Sequence, residues 1–270
     1  MGRVEASKRA LVMGILNVTP DSFSDGGRWV DPDAAVSRGV EMAAQGADVI
    51  DVGGESTRPG AAPVRASEQI RRVRPVIQAL ASRTRVSIDT RSPEVAEAAI
   101  EAGATLLNDV SASLWEVAAA GGVGWVAMHM QGDPLTMQDA PKYDNVVGEV
   151  QAFLRERAER AASAGVDEIW VDPGIGFGKT TDHNLALLRG VGEIVSIGRP
   201  VVVGTSRKGF LGALTARGGE VPAAEDRVEA SIATAVWCVL RGAQMVRVHD
   251  VVATVQALRL ISDPVEEAAA

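Results

Sequence analysis

The stretch Gln244-Met-Val-Arg-Val-His-Asp250 leads from an apolar strand pattern into a helical pattern over residues 251–261. It places Arg247 and His249 where a strand ends and a helix begins. Cationic side chains beside the unpaired backbone N–H groups of a helix start make an anion site. Taken alone, the same residues also fit a solvated strand end, so the rest of the chain has to decide between these interpretations.

Eight short apolar runs rich in β-branched residues alternate with amphipathic stretches of helical periodicity. The predicted strands are Leu11–Leu16, Val49–Val52, Arg85–Ile88, Thr105–Leu107, Trp125–Met128, Ile169–Val171, Val201–Val203 and Met245–Val248. The predicted helices include Pro32–Gln45, Ser67–Ser82, Pro93–Ala102, Val146–Ala164 and Ala224–Leu240. This α/β pattern predicts a closed (β/α)8 TIM barrel. A doubly wound open sheet is the alternative, because a strand count does not by itself close a barrel.

Composition limits the class of protein. The 270 residues are 46% hydrophobic and 23% charged, and no linker is visible, so we expect a single domain over residues 1–270 with a core of about 11–262 and frayed ends. The net charge of −8 argues against a nucleic-acid surface. With no apolar run of the roughly 20 residues that a membrane span needs and no signal peptide, we expect a cytoplasmic protein without a membrane partner.

Polar side chains lie at or just beyond the end of every predicted strand. They include Asn17, Asp51, Asp89, Asn108, His129, Asp172, Lys208, Arg247 and His249. Barrels carry their active sites at the carboxyl ends of their strands, so these side chains are expected to meet there. A buried carboxylate needs a partner. The side chains of Asp89, Asn108 and Asp172 therefore satisfy either one another or a ligand.

Two long loops rich in glycine and proline, residues 17–27 and 51–60, follow the first two strands. Loops of this length in a compact barrel are usually functional, and two of them suggest a site that closes over its ligand. A plain surface loop is the alternative for the first.

The stretch Asp172-Pro-Gly-Ile-Gly-Phe-Gly-Lys179 is not a Walker loop, because Pro173 stands where that motif requires glycine. Its glycines favour close approach to a planar ligand, with Phe177 against a ring, although a plain turn fits equally well. Lys208 could neutralise an anion or hydrogen-bond a ring of the ligand. The alternative is a lysine exposed to solvent on the surface. His129 and His183 are expected to be structural, since spaced His and Cys metal-ligand signatures are absent.

Several of these stretches resemble, in chain order, the signature motifs of the dihydropteroate synthase family of pterin-binding enzymes. Residues 13–27 and 51–60 resemble its first two signatures, and the two together are highly specific. The match continues through Ser87-Ile-Asp-Thr90, Asn108-Asp109, Met128-His-Met-Gln-Gly132, Asp172-Pro-Gly174, Ser206-Arg-Lys208 and Arg247-Val-His249. The resemblance covers residues from about 11 to 260.

The resemblance implies a folate-pathway transferase that joins 4-aminobenzoate to 6-hydroxymethyl-7,8-dihydropterin diphosphate, giving 7,8-dihydropteroate and diphosphate with Mg²⁺. It also implies a homodimer and a sulfonamide target. The implied catalytic residues are Asp89, Asn108, Asp172, Lys208 and Arg247. We hypothesise a dissociative substitution, in which early cleavage of the C–O bond leaves a cationic pterin methylene that buried carboxylates stabilise, with the two loops controlling access.

Carried over residue by residue, the family's contacts divide into three groups. The pterin pocket would comprise Asp89, Asn108, Asp172 and Lys208, with Arg247 stacked on the ring. The diphosphate would contact Asn17, Arg247 and His249, and Asn17 would also touch the metal. The aminobenzoate would contact Phe23, Thr57, Pro59, Phe177 and Lys208. Arg58, Met128 and Gly204 complete the implied substrate-binding set.

The sequence departs from the family at two places. Gly209 stands where many relatives carry a side chain, often Ser, that touches the aminobenzoate carboxylate, so carboxylate recognition is expected to be weaker or altered. The segment between Asn108 and Trp125 is short for the family, which leaves a fourth helix unestablished.

Two other functions compete with the synthase. A cobalamin-linked methyltransferase of the same superfamily would share Asp89, Asn108 and Asp172 but would not need the first two loops or Lys208. A catalytically idle pterin-binding paralogue would show degraded loop motifs, and both motifs are intact here.

Overall fold

The computed structural model describes residues 9–19, 31–55 and 63–262. The strands are β1 (Leu11–Asn17), β2 (Val49–Gly53), β3 (Arg85–Asp89), β4 (Leu106–Asp109), β5 (Gly124–Met128), β6 (Ile169–Asp172), β7 (Val202–Val203) and β8 (Met245–Val248). The helices in these ranges are α1 (Pro32–Ala44), α2 (Ala66–Leu80), α3 (Pro93–Glu101), α4 (Trp115–Gly121), α5 (Val146–Ser163), α6 (Thr181–Arg189), α7 (Val191–Val195), α8 (Gly209–Thr215), α9 (Val228–Leu240) and α10 (Val251–Ile261).

The strands form one parallel sheet in the order β6-β5-β4-β3-β2-β1-β8-β7. Its two edges meet, because Val171 of β6 forms a parallel bridge with Val201. The backbone N–H of Val171 also donates to the carbonyl of Pro200 at 3.0 Å. The sheet therefore closes. The predicted (β/α)8 barrel is confirmed, and the open doubly wound sheet is excluded.

The predicted strands and helices agree with the observed bounds to within about two residues. The segment 224–240 divides into a 3₁₀ turn, Ala224–Asp226, and helix α9. Helix α4 exists, although it has only 7 residues. No bounds were predicted for α6, α7 or α8, although one helix was expected to begin at His183-Asn184 and another at Ser206-Arg-Lys208.

Seven apolar side chains form a core cluster separate from the larger one between sheet and helices. They are Met13, Val49, Leu106, Val126, Trp170, Val202 and Met245, one from each strand except β3. Side chains two residues apart in a strand face the same way. The residues two positions further along these strands therefore form the next inward layer toward the carboxyl ends. That layer consists of Ile15, Asp51, Asn108, Met128, Asp172, Gly204 and Arg247. The inward face of the barrel thus changes from apolar to largely polar within two residues.

Apolar side chains are exposed on the last two helices. Leu240 at the end of α9 is 65% exposed and Leu260 of α10 is 84% exposed. None of the described helices combines the length and the apolar character needed to cross a membrane.

Candidate active site

A cavity of about 660 Å³ opens at the carboxyl ends of the strands. The loops after β6 and β7 form one side of it, and β1, β3 and β8 form the other. The predicted site residues that line it are Asn17, Asp89, Phe177, Gly204, Lys208, Arg247 and His249. Residues far apart in the chain therefore share one site, as the strand-end pattern predicted.

The other predicted residues fall into two groups. Asn108, Met128 and Asp172 do not line the cavity; they are buried in β4, β5 and β6, with exposures of 4–6%. The predictions for Phe23, Thr57, Arg58 and Pro59 concern positions outside the described residues.

A network of buried charges forms the floor of the site. Arg247 donates from Nε to Asp51 Oδ2 and from Nη2 to Asp89 Oδ2, each at 2.6 Å. The side-chain amide of Asn108 donates to the same Asp51 oxygen at 2.9 Å. Burial opposes the charge on the guanidinium, but the charges of Asp51 and Asp89 outweigh it and raise the pKa of Arg247. The arginine is therefore held as a cation between two carboxylates.

Two carboxylate oxygens of this network lack a partner in the described part of the chain. They are Oδ1 of Asp51 and Oδ1 of Asp89, both buried. Burial raises the pKa of Asp89; the charge of Arg247 opposes this effect and the neighbouring Asp51 adds to it. A buried acceptor without a donor is costly. Since Asp89 also lines the cavity, a ligand with N–H groups would satisfy it.

Asp51 was expected among the polar side chains at the strand ends, but no catalytic or substrate-binding role was predicted for it. It is fully buried and links Asn108 to Arg247. The signal was present, because a carboxylate in the middle of the apolar run Val49-Ile-Asp-Val-Gly53 must have a charged or hydrogen-bonding partner.

Lys208 crosses the mouth of the cavity toward the loop that follows β6. Its Nζ donates to the carbonyl of Ile175 and lies 4.4 Å from the centre of the Phe177 ring. Burial lowers the pKa of Lys208 to about 8, although Asp172 opposes the shift. Burial also raises the pKa of Asp172, against the charge of Lys208. Lys208, which is half-buried, and Asp172, which is buried, therefore interact as groups of opposite charge.

The segment after β7 is fixed to the segment after β8. The backbone N–H of His249 donates to Ser206 Oγ at 3.1 Å, and the same oxygen lies 2.9 Å from His249 Nδ1. Arg207, in the left-handed region at φ 60°, turns away and makes two hydrogen bonds to the carboxylate of Asp250. This arrangement holds His249 beside the start of α10, where an anion is favoured.

Of the three glycines after β6, Gly176 lines the cavity, but the other two do not behave as the ligand-contact interpretation expected. Gly174 (φ 65°) and Gly178 (φ 61°) are in the left-handed region, and a side chain at either would clash with the backbone carbonyl of His129 or Gln131. The close approach at these two positions is therefore to the protein itself. The expectation for His183 is confirmed, because with Thr180 it forms the N-terminal capping box of α6.

The described part of the site offers few side chains that could bind a metal ion. No group of three or more His, Cys, Asp or Glu side chains suited to a metal occurs within residues 9–19, 31–55 and 63–262. Asn17 offers an amide oxygen at the end of β1, on the cavity wall that Arg247 and His249 share. Mg²⁺ commonly takes only one or two protein oxygens and completes its shell with water and substrate phosphates. Asn17 fits that kind of site and does not fit an all-protein cage.

Comparisons with known proteins agree on one family. A family model described as pterin binding enzyme matches residues 13–249. The dihydropteroate synthase of Escherichia coli strain K12 is 45% identical over 258 residues, which cover 93% of this chain and 90% of that protein. A Xanthomonas albilineans dihydropteroate synthase structure with 4-aminobenzoic acid has a TM-score of 0.86 and 47% identity, covering 93% of this chain and 92% of that one. A Yersinia pestis dihydropteroate synthase in a sulfonamide drug complex has a TM-score of 0.86 and 41% identity, covering 96% and 95%.

Proposed function

This chain belongs to the dihydropteroate synthases of the pterin-binding enzyme family, and we infer from that membership and from its site how it works. It is a transferase of folate synthesis. It condenses 6-hydroxymethyl-7,8-dihydropterin diphosphate with 4-aminobenzoate, and the products are 7,8-dihydropteroate and diphosphate. It is also a member of the enzyme class that sulfonamide drugs bind.

The observation that supports the pterin site best is the inward polar layer with its unpaired acceptor. A pterin presents ring N–H and amino groups beside an amide edge. Asp89 at the end of β3, Asn108 in β4 and Asp172 at the end of β6 offer carboxylate and amide groups that can match those donors. Oδ1 of Asp89 has no hydrogen-bond donor in the described structure. The ring supplies that donor.

Binding of the pterin changes the partner of Arg247. Its Nη2 is paired with Asp89, which is also an acceptor for the ring. When the ring takes this carboxylate, Nη2 turns toward the substrate while Nε stays on Asp51. The guanidinium then stacks on the pterin and reaches the diphosphate. Asn17, His249 and the N–H groups at the start of α10 complete the diphosphate site.

The substitution is dissociative. As the bond between the methylene carbon and the diphosphate oxygen lengthens, positive charge develops on the pterin methylene, and the carboxylates of Asp89 and Asp172 stabilise it. The aromatic amine of 4-aminobenzoate is a nucleophile at neutral pH, so the reaction requires no strong base. Phe177 and Lys208 hold the aminobenzoate. The expected closing loops lie mostly outside the described residues, and their control of access stays a prediction.

We further propose that Mg²⁺ binds together with the diphosphate. Asn17 would hold the ion by its amide oxygen, with the phosphate oxygens and water as the other ligands. The ion would neutralise charge on the leaving diphosphate. Removing the metal with a chelator should abolish turnover, and adding Mg²⁺ should restore it. An Asn17→Ala variant should need more Mg²⁺ to reach half of its maximal rate.

We also propose that the protein is a homodimer that buries the exposed apolar side chains of α9 and α10. Leu240 and Leu260 support this surface. Leu260→Glu should shift the mass measured by light scattering from dimer to monomer. The same change at Leu135, which is 56% exposed and lies elsewhere, should leave the dimer intact. A monomeric wild-type chain would contradict the proposal. Cytoplasmic location stays a prediction from the sequence.

The test of the function is a diphosphate-release assay on the purified chain. A synthase releases diphosphate only when both the pterin diphosphate and 4-aminobenzoate are present. An idle pterin-binding protein would bind the pterin and release nothing. A methyltransferase would be indifferent to 4-aminobenzoate and would demethylate methyltetrahydrofolate in the presence of a cobalamin acceptor.

A further inference from the structure

Lys179 is a buried cation that the proposed reaction does not use. It ends the loop between β6 and α6, and only 3% of its surface is exposed. Burial, and next the positive charge of Lys208, lower the pKa of Lys179 to about 7, against the charge of Asp172. An apolar side chain would avoid this cost. The position of the ammonium group therefore needs an explanation.

The ammonium group is surrounded by acceptors from two segments. Its Nζ lies 3.0 Å from His129 Nδ1, 3.0 Å from the carbonyl of Gly174 and 3.0 Å from the carbonyl of Phe177. A fourth acceptor, the carbonyl of His129, lies at 3.3 Å. An ammonium has three N–H donors and can satisfy most of this shell. The loop after β6 is thus folded around one cation.

The same loop packs tightly on the segment that follows β5. Side chains at Gly174 and Gly178 are excluded by the carbonyls of His129 and Gln131. The hydroxyl of Tyr143 donates to the carbonyl of Gly178 at 3.0 Å. Nζ of Lys179 lies at the centre of this packed unit, because its contacts join His129 of one segment to two carbonyls of the other.

The same loop also presents two groups to Lys208 at the cavity. Its Ile175 carbonyl accepts a hydrogen bond from Lys208 Nζ, and its Phe177 ring lies against the same ammonium group. Both contacts lie within four residues of Lys179. If Nζ of Lys179 released the Gly174 and Phe177 carbonyls, the two groups that orient Lys208 would lose their support.

We propose that Lys179, with His129 as its partner, is a positioning residue for the 4-aminobenzoate side of the active site. Lys179 fixes the loop that carries Ile175 and Phe177, and these two residues fix Lys208. It does not touch the pterin or the reacting atoms. The inference rests on the proposed function, since it assigns the loop to the second substrate.

The test compares Lys179→Met with Lys142→Met, the same change at an exposed lysine in the segment that follows β5. For both variants, the steady-state constants for each substrate and the melting temperature are measured. Lys179→Met should raise KM for 4-aminobenzoate about tenfold or more, while the dissociation constant of the pterin diphosphate changes by less than about twofold. Lys142→Met should match wild type.

A second pair of variants keeps the test decisive if Lys179→Met does not fold. His129→Asn retains an acceptor near the Nδ1 position and should raise KM for 4-aminobenzoate less than His129→Leu does. A lower melting temperature with both substrate constants unchanged would overturn the proposal. Equal losses for both substrates would also overturn it. If wild type and Lys142→Met show no diphosphate release that depends on both substrates, the proposed function itself is wrong.

Discussion

Arg247 donates from Nε to Asp51 Oδ2 across 2.6 Å, which joins two residues 196 positions apart in the chain. Asp51 is fully buried, and the side chain of Arg247 is 20% exposed. Because Asn108 donates to the same carboxylate oxygen, Asp51 orients one group of the proposed pterin pocket and one of the proposed diphosphate site. It links the protein groups that would bind the two halves of the substrate.

Asp51→Asn should therefore impair both halves. The amide keeps the shape of the carboxylate, but it removes one of the two negative charges beside Arg247. Its NH2 group can also face the N–H donors of Arg247 or Asn108, with which it cannot form a hydrogen bond. We expect kcat/KM for the pterin diphosphate to fall about tenfold or more and the free energy of unfolding to fall by about 1–3 kcal/mol. Steady-state kinetics and urea unfolding measure the two effects.

Asp48→Asn is the matched control. Asp48 pairs with Arg9 through two hydrogen bonds of 2.8 and 2.9 Å, just before β2 begins and therefore at the opposite end of the barrel. This variant should lose stability and keep its kcat/KM. If both variants kept full activity, Asp51 would be only a structural residue.

Asp89→Asn should separate binding from chemistry. The amide oxygen can still accept a hydrogen bond from the pterin, so the dissociation constant of the pterin diphosphate should change by no more than about threefold. The negative charge that stabilises the cationic methylene is lost, so kcat should fall about 100-fold or more. Equilibrium titration and single-turnover kinetics provide the comparison. Equal losses in binding and turnover would contradict a dissociative reaction.

Lys208 should impose an upper pH limit on the free enzyme. Its pKa is lowered to about 8, so the group is charged below that pH and neutral above it. If the charge is needed, kcat/KM for the pterin diphosphate decreases as pH rises through about 8. Lys208→Arg, which stays charged, should move the decrease out of the measured range. A flat wild-type profile from about pH 7 to about pH 10, the range over which a lysine with a pKa of about 8 loses its charge, would rule out this requirement.

Gly209 should accept a serine. A Cβ placed there meets no atom of the described structure within 4 Å, and the backbone is not left-handed. Gly209→Ser adds a hydroxyl on the cavity wall where the aminobenzoate carboxylate is expected, so KM for 4-aminobenzoate should fall about threefold or more. Gly209→Ala adds the carbon alone and should leave KM unchanged. The same decrease in both variants would show that the hydroxyl is not responsible.

Much of the barrel and of its rim was predictable because the side-chain periods of strands and helices determine them. Strand and helix patterns gave the architecture, and the positions at strand ends gave Asn17, Asp89, Asn108, Asp172 and Arg247. In most strands the site residue lies two positions after an inward-facing apolar residue. Asp172 lies two positions after Trp170, and Arg247 lies two positions after Met245. Since side chains alternate along a strand, that spacing aims them at the same interior.

The rest depended on contacts that no local pattern specifies. The pairing of Arg247 with Asp51 requires that β1 lies between β8 and β2 in the sheet. The close approach of Gly174 and Gly178 was foreseen, but a glycine does not reveal whether its neighbour is a ligand or another backbone segment. Helices α7 and α8, with 5 and 7 residues, are too short to show helical periodicity.

A crystal structure of the protein with bound 6-hydroxymethyl-7,8-dihydropterin diphosphate tests the central claim most directly. The account predicts that the ring edge lies on Asp89, Asn108 and Asp172, with Nη2 of Arg247 moved from Asp89 to the substrate. The diphosphate should lie between Asn17, Arg247 and His249. A ring bound outside this cavity, or an Arg247 still paired with Asp89 while the ring is bound, would contradict it.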